Sequence, residues 1–118
     1  MPIVALPSEI EICYESFGDP ADPTLLLMHG LGSQMLVWEE GLCRLLADTG
    51  LHVVRYDHRD SGLSTIFDND GPPGGTSYDL SDMATDAVDL LDHLGLPDAH
   101  VAGFSLGGMV AQTMAVEH

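Results

Sequence analysis

The feature that most constrains this chain is the run Thr24-Leu25-Leu26-Leu27-Met28. A strand that is apolar at successive positions, not at alternate ones, must be covered on both faces. Two further strands follow, "LHVVRYD" ending at Asp57 and "HVAGF" near the end of the chain. Helical spacing separates them. Trp38, Leu42, Leu45 and Leu46 mark one helix, and Gly50 is a natural stop. Leu80, Met83, Ala84, Ala87, Leu91 and Leu94 mark one face of another. Asp79 is its expected N-cap, with Asp82 three residues on, and Gly95 and Pro97 close it. A last helix runs from Leu106. Strands alternating with helices predict an α/β fold: a mostly parallel sheet with helices on both faces. Upstream, Ile3 to Leu6 is a short apolar run, and Ile10, Ile12 and Tyr14 alternate with Glu11, Cys13 and Glu15. These two segments predict an antiparallel hairpin turned at Pro7-Ser8.

The chain has 118 residues, enough for one domain with a real core, and no internal repeat. Charge narrows its partners. It carries 3 Arg, no Lys and 19 Asp plus Glu, for a formal net charge of -16. Such a surface repels phosphate backbones and anionic lipid, so neither nucleic acid nor a membrane surface is an expected partner. No apolar run approaches the ~20 residues of a membrane span. Met1-Pro2-Ile3-Val4-Ala5 has no basic or long apolar signal region, so a cytoplasmic location is expected. Cys13 and Cys43 allow one disulfide, but two reduced, partly buried thiols fit that compartment better. Residues 58–79 form a long loop containing Gly71-Pro72-Pro73-Gly74-Gly75, a length that usually signals function or mobility. His52, His58, His93 and His100 read as scaffold or surface histidines. Glu39-Glu40 and the aspartates of the second helix read as a solvated face.

The chemistry concentrates at Gly103-Phe104-Ser105-Leu106-Gly107. G-x-S-x-G alone is common. Placed between an apolar strand and a helix, it becomes a nucleophile elbow. The serine occupies a sharp turn, and the residues two positions away must be small because strand and helix backbones approach closely. The helix N-terminus then aims free N–H groups at developing negative charge. The other glycine-rich turn, His29-Gly30-Leu31-Gly32, follows the first buried strand. A dinucleotide loop fails there, because the third glycine position of G-x-G-x-x-G is Met35. An oxyanion loop fits better, with backbone N–H donors at Leu31 and at Leu106, the residue after the nucleophile.

Together, His29-Gly30, the run Asp57-His58-Arg59-Asp60-Ser61-Gly62-Leu63-Ser64 and the elbow "GFSLGG" resemble the N-terminal half of an α/β-hydrolase. "FGDPADP" and "YDHRDSGLST" are similar, more narrowly, to bacterial ester hydrolases related to aclacinomycin methylesterase. The wider pattern is D-x-R-G-x-G-x-S, and Asp60 stands here in place of its first glycine. The resemblance implies a single partial hydrolase core over residues 1–118, with sheet order 1-2-4-3-5 and an antiparallel second strand. It implies Ser105 as the nucleophile and Leu31 and Leu106 as oxyanion donors. Gly103, Gly107, His29 and Gly30 support elbow and loop, and Asp57 and Arg59 fix turns. It calls for no cofactor and no metal. The substrate would be a small-molecule carboxylic ester.

The family triad runs in the order Ser, Asp or Glu, His. Downstream of Ser105 only Glu117 and His118 have those chemistries. On one continuous helix they would sit roughly 18 Å away, whereas proton transfer needs about 3 Å. Three readings follow: an ester hydrolase whose acid and base lie outside this chain, an inactive fragment or binding module, or cofactor-free perhydrolase or haloperoxidase chemistry on a similar elbow. Asp60-Ser61 is also similar to a carrier-protein serine, but buried strands oppose a helical carrier. The strand at 99–104 is expected to present an unpaired apolar edge, open to self-association or to a missing C-terminal half.

Overall fold

The structure, a computed structural model, describes residues 2–67 and 78–118. In chain order its elements are β1 (Ile3–Ala5), β2 (Glu11–Phe17), β3 (Thr24–Met28), α1 (Glu40–Asp48), β4 (His52–Tyr56), α2 (Leu80–His93), β5 (His100–Gly103) and α3 (Leu106–Glu117). A 3-10 turn at Met35–Val37 precedes α1. The sheet order is β1-β2-β4-β3-β5. β2 runs antiparallel to β1 and β4, while β3 is parallel to both β4 and β5. This is the topology that the resemblance implied.

The apolar run finds cover on both faces. On one side Leu26 and Met28 of β3, with Val54 and Tyr56 of β4, pack against Met83, Ala84, Ala87 and Leu90 of α2 and Val110 of α3. On the other, Leu27 and Val53 meet Phe17 and Cys43, with Trp38 and Leu46 packed alongside. Full burial of each such side chain stabilises by about 1.5–3 kcal/mol, so this double layer is what fixes the position of the strand ends. Asp79 caps α2 as expected, in a reciprocal box with Asp82.

Three expectations need correction. The α1 spacing found the helix but not its inward face. Cys43 is fully buried, whereas Leu42 is 42% and Leu45 68% exposed. The reason is the 3-10 turn: Trp38 lies outside the helix and does not share its phase. Second, β2 does not simply alternate, because Cys13 is as buried as Ile12. Third, the aspartates of α2 are not all solvated, since Asp86 is buried. Both cysteines are free and buried. The stretch Gly71-Pro72-Pro73-Gly74-Gly75 lies outside the described residues. Among the described residues no helix is long and apolar enough to cross a membrane, and β5 pairs with β3 alone, leaving its other edge open.

Candidate active site

The elbow is built by exclusion of side chains. β5 ends at Gly103 and α3 begins at Leu106, so only Phe104 and Ser105 make the turn. A Cβ on Gly103 would lie 2.6 Å from the Gly107 carbonyl carbon. A Cβ on Gly107 would lie 2.5 Å from the Met28 oxygen and 2.7 Å from the His29 oxygen. Backbone thus packs on backbone where β5, α3 and the end of β3 converge. Ser105 is driven to φ 53° and ψ -124°, a region that costs a non-glycine residue about 1–3 kcal/mol. Its side chain is exposed and does not cap the helix it precedes. A hydroxyl held in strain, free of local partners, is available for chemistry.

The loop after β3 closes against this turn. A Cβ on Gly30 would approach the Phe104 ring to 3.0 Å and Ser105 Cβ to 3.4 Å. That close approach brings the Gly30-Leu31 backbone beside the serine. Neither the Leu31 nor the Leu106 N–H donates to a backbone carbonyl among the described residues. Both amides are thus left without a backbone acceptor there, and Leu106 opens α3, the end of a helix that carries partial positive charge.

Two histidines hold the loop, and only one was singled out in the sequence. His29 Nδ1 bonds the Gly30 carbonyl at 2.8 Å, and its Nε2 accepts the His58 backbone N–H at 3.1 Å. This pair of bonds places the ring proton on Nδ1. His58 Nε2 in turn meets the His29 carbonyl at 3.0 Å. Ring centroids are 4.3 Å apart. Burial lowers the affinity of both rings for a second proton, and for His58, with His29 adding to the effect, the pKa falls to about 4. His58 is 2% and His52 4% exposed, so neither is a surface histidine. Each sits at a junction between strands, where burial follows from position, not residue type.

The run from Asp57 to Ser64 is a second lock. Asp57 accepts the Met35 N–H at 2.7 Å and the Leu63 N–H at 3.0 Å. Gly62, at φ 51°, must be glycine because a Cβ would fall 2.1 Å from the Asp57 carboxylate. Ser64 Oγ donates to the Asp57 carbonyl and accepts the Cys13 N–H. Arg59 forms a bidentate buried pair with Asp86, at 2.7 and 2.8 Å. Asp60 has φ 64°, which explains why glycine suits this position and why Asp is tolerated. Its carboxylate accepts from Phe67 N–H and Tyr78 O–H, so it ties together the two ends that flank residues 68–77. Asp86 and Tyr78 escaped sequence reasoning, and His58, read there as scaffold or surface, proves to be buried scaffold paired with His29. The signal for Asp86 was present: it falls on the apolar stripe of Met83, Ala87 and Leu90.

The structure thus gathers Ser105, the Gly30-Leu31 loop and Leu106, with Gly103, Gly107 and His29 in support. It does not bring Glu117 or His118 to them. α3 is unbroken to Glu117, whose carboxylate accepts from Ser81 Oγ at 2.6 Å. His118 lines a groove against α2.

A family model described as alpha/beta hydrolase fold matches residues 23–118. A rhodomycin D methylesterase of Streptomyces sp. (strain C5) is 38% identical over 109 residues, covering 92% of this chain and 35% of the relative. A 3-oxoadipate enol-lactonase of Acinetobacter baylyi is 30% identical over 108 residues, covering 92% of this chain and 37% of the relative. Among solved structures, a hydrolase from Pseudomonas aeruginosa superposes with a TM-score of 0.85 at 30% identity, covering 98% of this chain and 40% of that one. The chain therefore spans little more than a third of the length of these curated relatives.

Proposed function

Starting from the premise that this chain belongs to the α/β-hydrolase fold family, we propose that it carries the nucleophile and oxyanion half of a serine carboxylic-ester hydrolase. The observation that carries this reading is Ser105, exposed at φ 53° with the Gly30 backbone against it. In the proposed reaction Ser105 Oγ forms a bond to the ester carbonyl carbon as its proton passes to a base. The carbonyl oxygen becomes an oxyanion held by the Leu31 and Leu106 N–H groups. Collapse breaks the ester C–O bond, releases the alcohol with a returned proton, and leaves an acyl-serine. Water then adds to that carbonyl and releases the acid. A small-molecule ester is the proposed substrate.

General base and acid are assigned to no residue of this chain, since Glu117 and His118 are held toward α2. Oxyanion binding alone leaves a residual acceleration of about 10³-fold over water. The test is hydrolysis of p-nitrophenyl acetate with and without exogenous imidazole, in wild type and Ser105→Ala. The proposal expects weak basal turnover and an enzyme-dependent stimulation by imidazole in the wild type alone. Equal stimulation in both proteins would refute Ser105 as the nucleophile.

A further inference from the structure

We infer that the site selects against substrates that carry a negative charge on the arm beside the oxyanion donors, and takes an uncharged arm of a few carbons. This rests on the assignment of Leu31 and Leu106 as those donors. The same two residues line a cavity of about 290 Å³, near the lower end of small-molecule sites. Its apolar wall continues through Leu80 and Met83, and its polar wall holds Asp60 and Asp79.

The polar wall offers acceptors rather than cations. Tyr78, also in the lining, donates its hydroxyl to Asp60. Asp79 accepts the Asp82 N–H in the α2 cap. Arg59 reaches the cavity, but two of its N–H donors grip Asp86 and its side chain is only 6% exposed. The other two arginines are also engaged, Arg44 with Glu40 and Arg55 with Glu15. With no lysine in the sequence, the chain keeps no unpaired Lys or Arg for an anionic ligand. A carboxylate in this cavity would face the like charges of Asp60 and Asp79, while the one cation in the lining, Arg59, is already paired with Asp86. A carbonyl oxygen placed on the free amides, followed by an apolar stem, meets complementary groups along its whole length.

Two ligands of equal length separate the charge from the shape: hexanamide and adipamate, its analogue ending in a carboxylate. They are titrated into ¹⁵N-labelled protein at low ionic strength, following the Leu31 and Leu106 amides. Hexanamide is expected to shift both, with a Kd about tenfold below that of adipamate, as repulsion from two partly screened charges implies. The ratio should approach one in Asp60→Asn/Asp79→Asn. Asparagine suits both positions, a left-handed residue and an N-cap, so the fold is kept. In wild type at 0.5 M NaCl the ratio should also shrink, which needs no variant. Adipamate binding as tightly as hexanamide, or neither ligand moving the two amides, overturns the inference. So does a ratio unmoved by both salt and the double substitution. The outcome is separable from the nucleophile assignment: amides that discriminate while Ser105→Ala leaves imidazole-stimulated hydrolysis unchanged would sink that assignment and keep this inference.

Discussion

His58→Gln tests whether the histidine pair beneath the oxyanion loop is held neutral by the fold. The wild-type ring is 2% exposed. Burial, and then the neighbouring His29, lower its pKa from an ordinary 6.5 to about 4. At about 1.4 kcal/mol per unit, the neutral ring is linked to roughly 3 kcal/mol of pH-dependent stability. The sign follows from proton affinity. The unfolded ring binds a proton more tightly than the folded one, so stability is complete above pH 6.5 and drains as pH falls toward 4. Glutamine retains an amide donor for the His29 carbonyl but cannot titrate. His29 and Asp86 titrate in both proteins, and because His29 and His58 oppose each other's charging, the comparison reads the loss of the His58 proton site together with its repulsion of His29. Urea unfolding of both proteins between pH 7 and pH 4 is the assay. The stability of wild type relative to His58→Gln should fall by roughly 3 kcal/mol across that range. A difference that stays constant to within the scatter of such extrapolations, about 0.5 kcal/mol, would refute the reasoning.

Three further outcomes follow from the same geometry. Arg59→Met strands the Asp86 carboxylate, 3% exposed with Asp82 and Asp89 nearby, and should cost about 3–5 kcal/mol at pH 7 by urea unfolding. Burial already holds that carboxyl above its ordinary range despite Arg59. The penalty should therefore shrink as pH falls and the group takes a proton, and Arg59→Met/Asp86→Leu should recover most of it. Gly107→Ala forces a methyl against the Met28 and His29 carbonyls and should lose about 1–3 kcal/mol, while Gly108→Ala, whose nearest contact is an ordinary 3.5 Å, should not. The open β5 edge should let the chain self-associate, so sedimentation at rising concentration should show species above the monomer; a monomer throughout would count against it.

The centre of the sheet was legible because β3 and β4 are buried along nearly their whole length, whereas β5 is half-buried at Val101 and Ala102 and exposed at both ends. Leu25 to Met28 admits no exposed face, and the order of strands came with the resemblance. Elbow glycines were legible for a steric reason, since any Cβ at Gly103 or Gly107 meets backbone. What escaped were contacts made across long separations. Nothing local to His58 says that its amide will meet His29 Nε2, 29 residues away. Arg59 and Asp86 are 27 residues apart and become partners only when α2 is laid on the sheet. The α1 face was misplaced because a 3-10 turn shifted the phase, a local event that apolar spacing does not register.

The central claim is that Ser105 is a nucleophile mounted for acyl transfer. Its most direct test is intact mass and peptide mapping after incubation with a fluorophosphonate, with exogenous imidazole as the base. The account predicts one adduct, on the peptide holding Ser105, formed faster with imidazole and absent from Ser105→Ala. A label on another residue, or none at Ser105 with imidazole present, would contradict it.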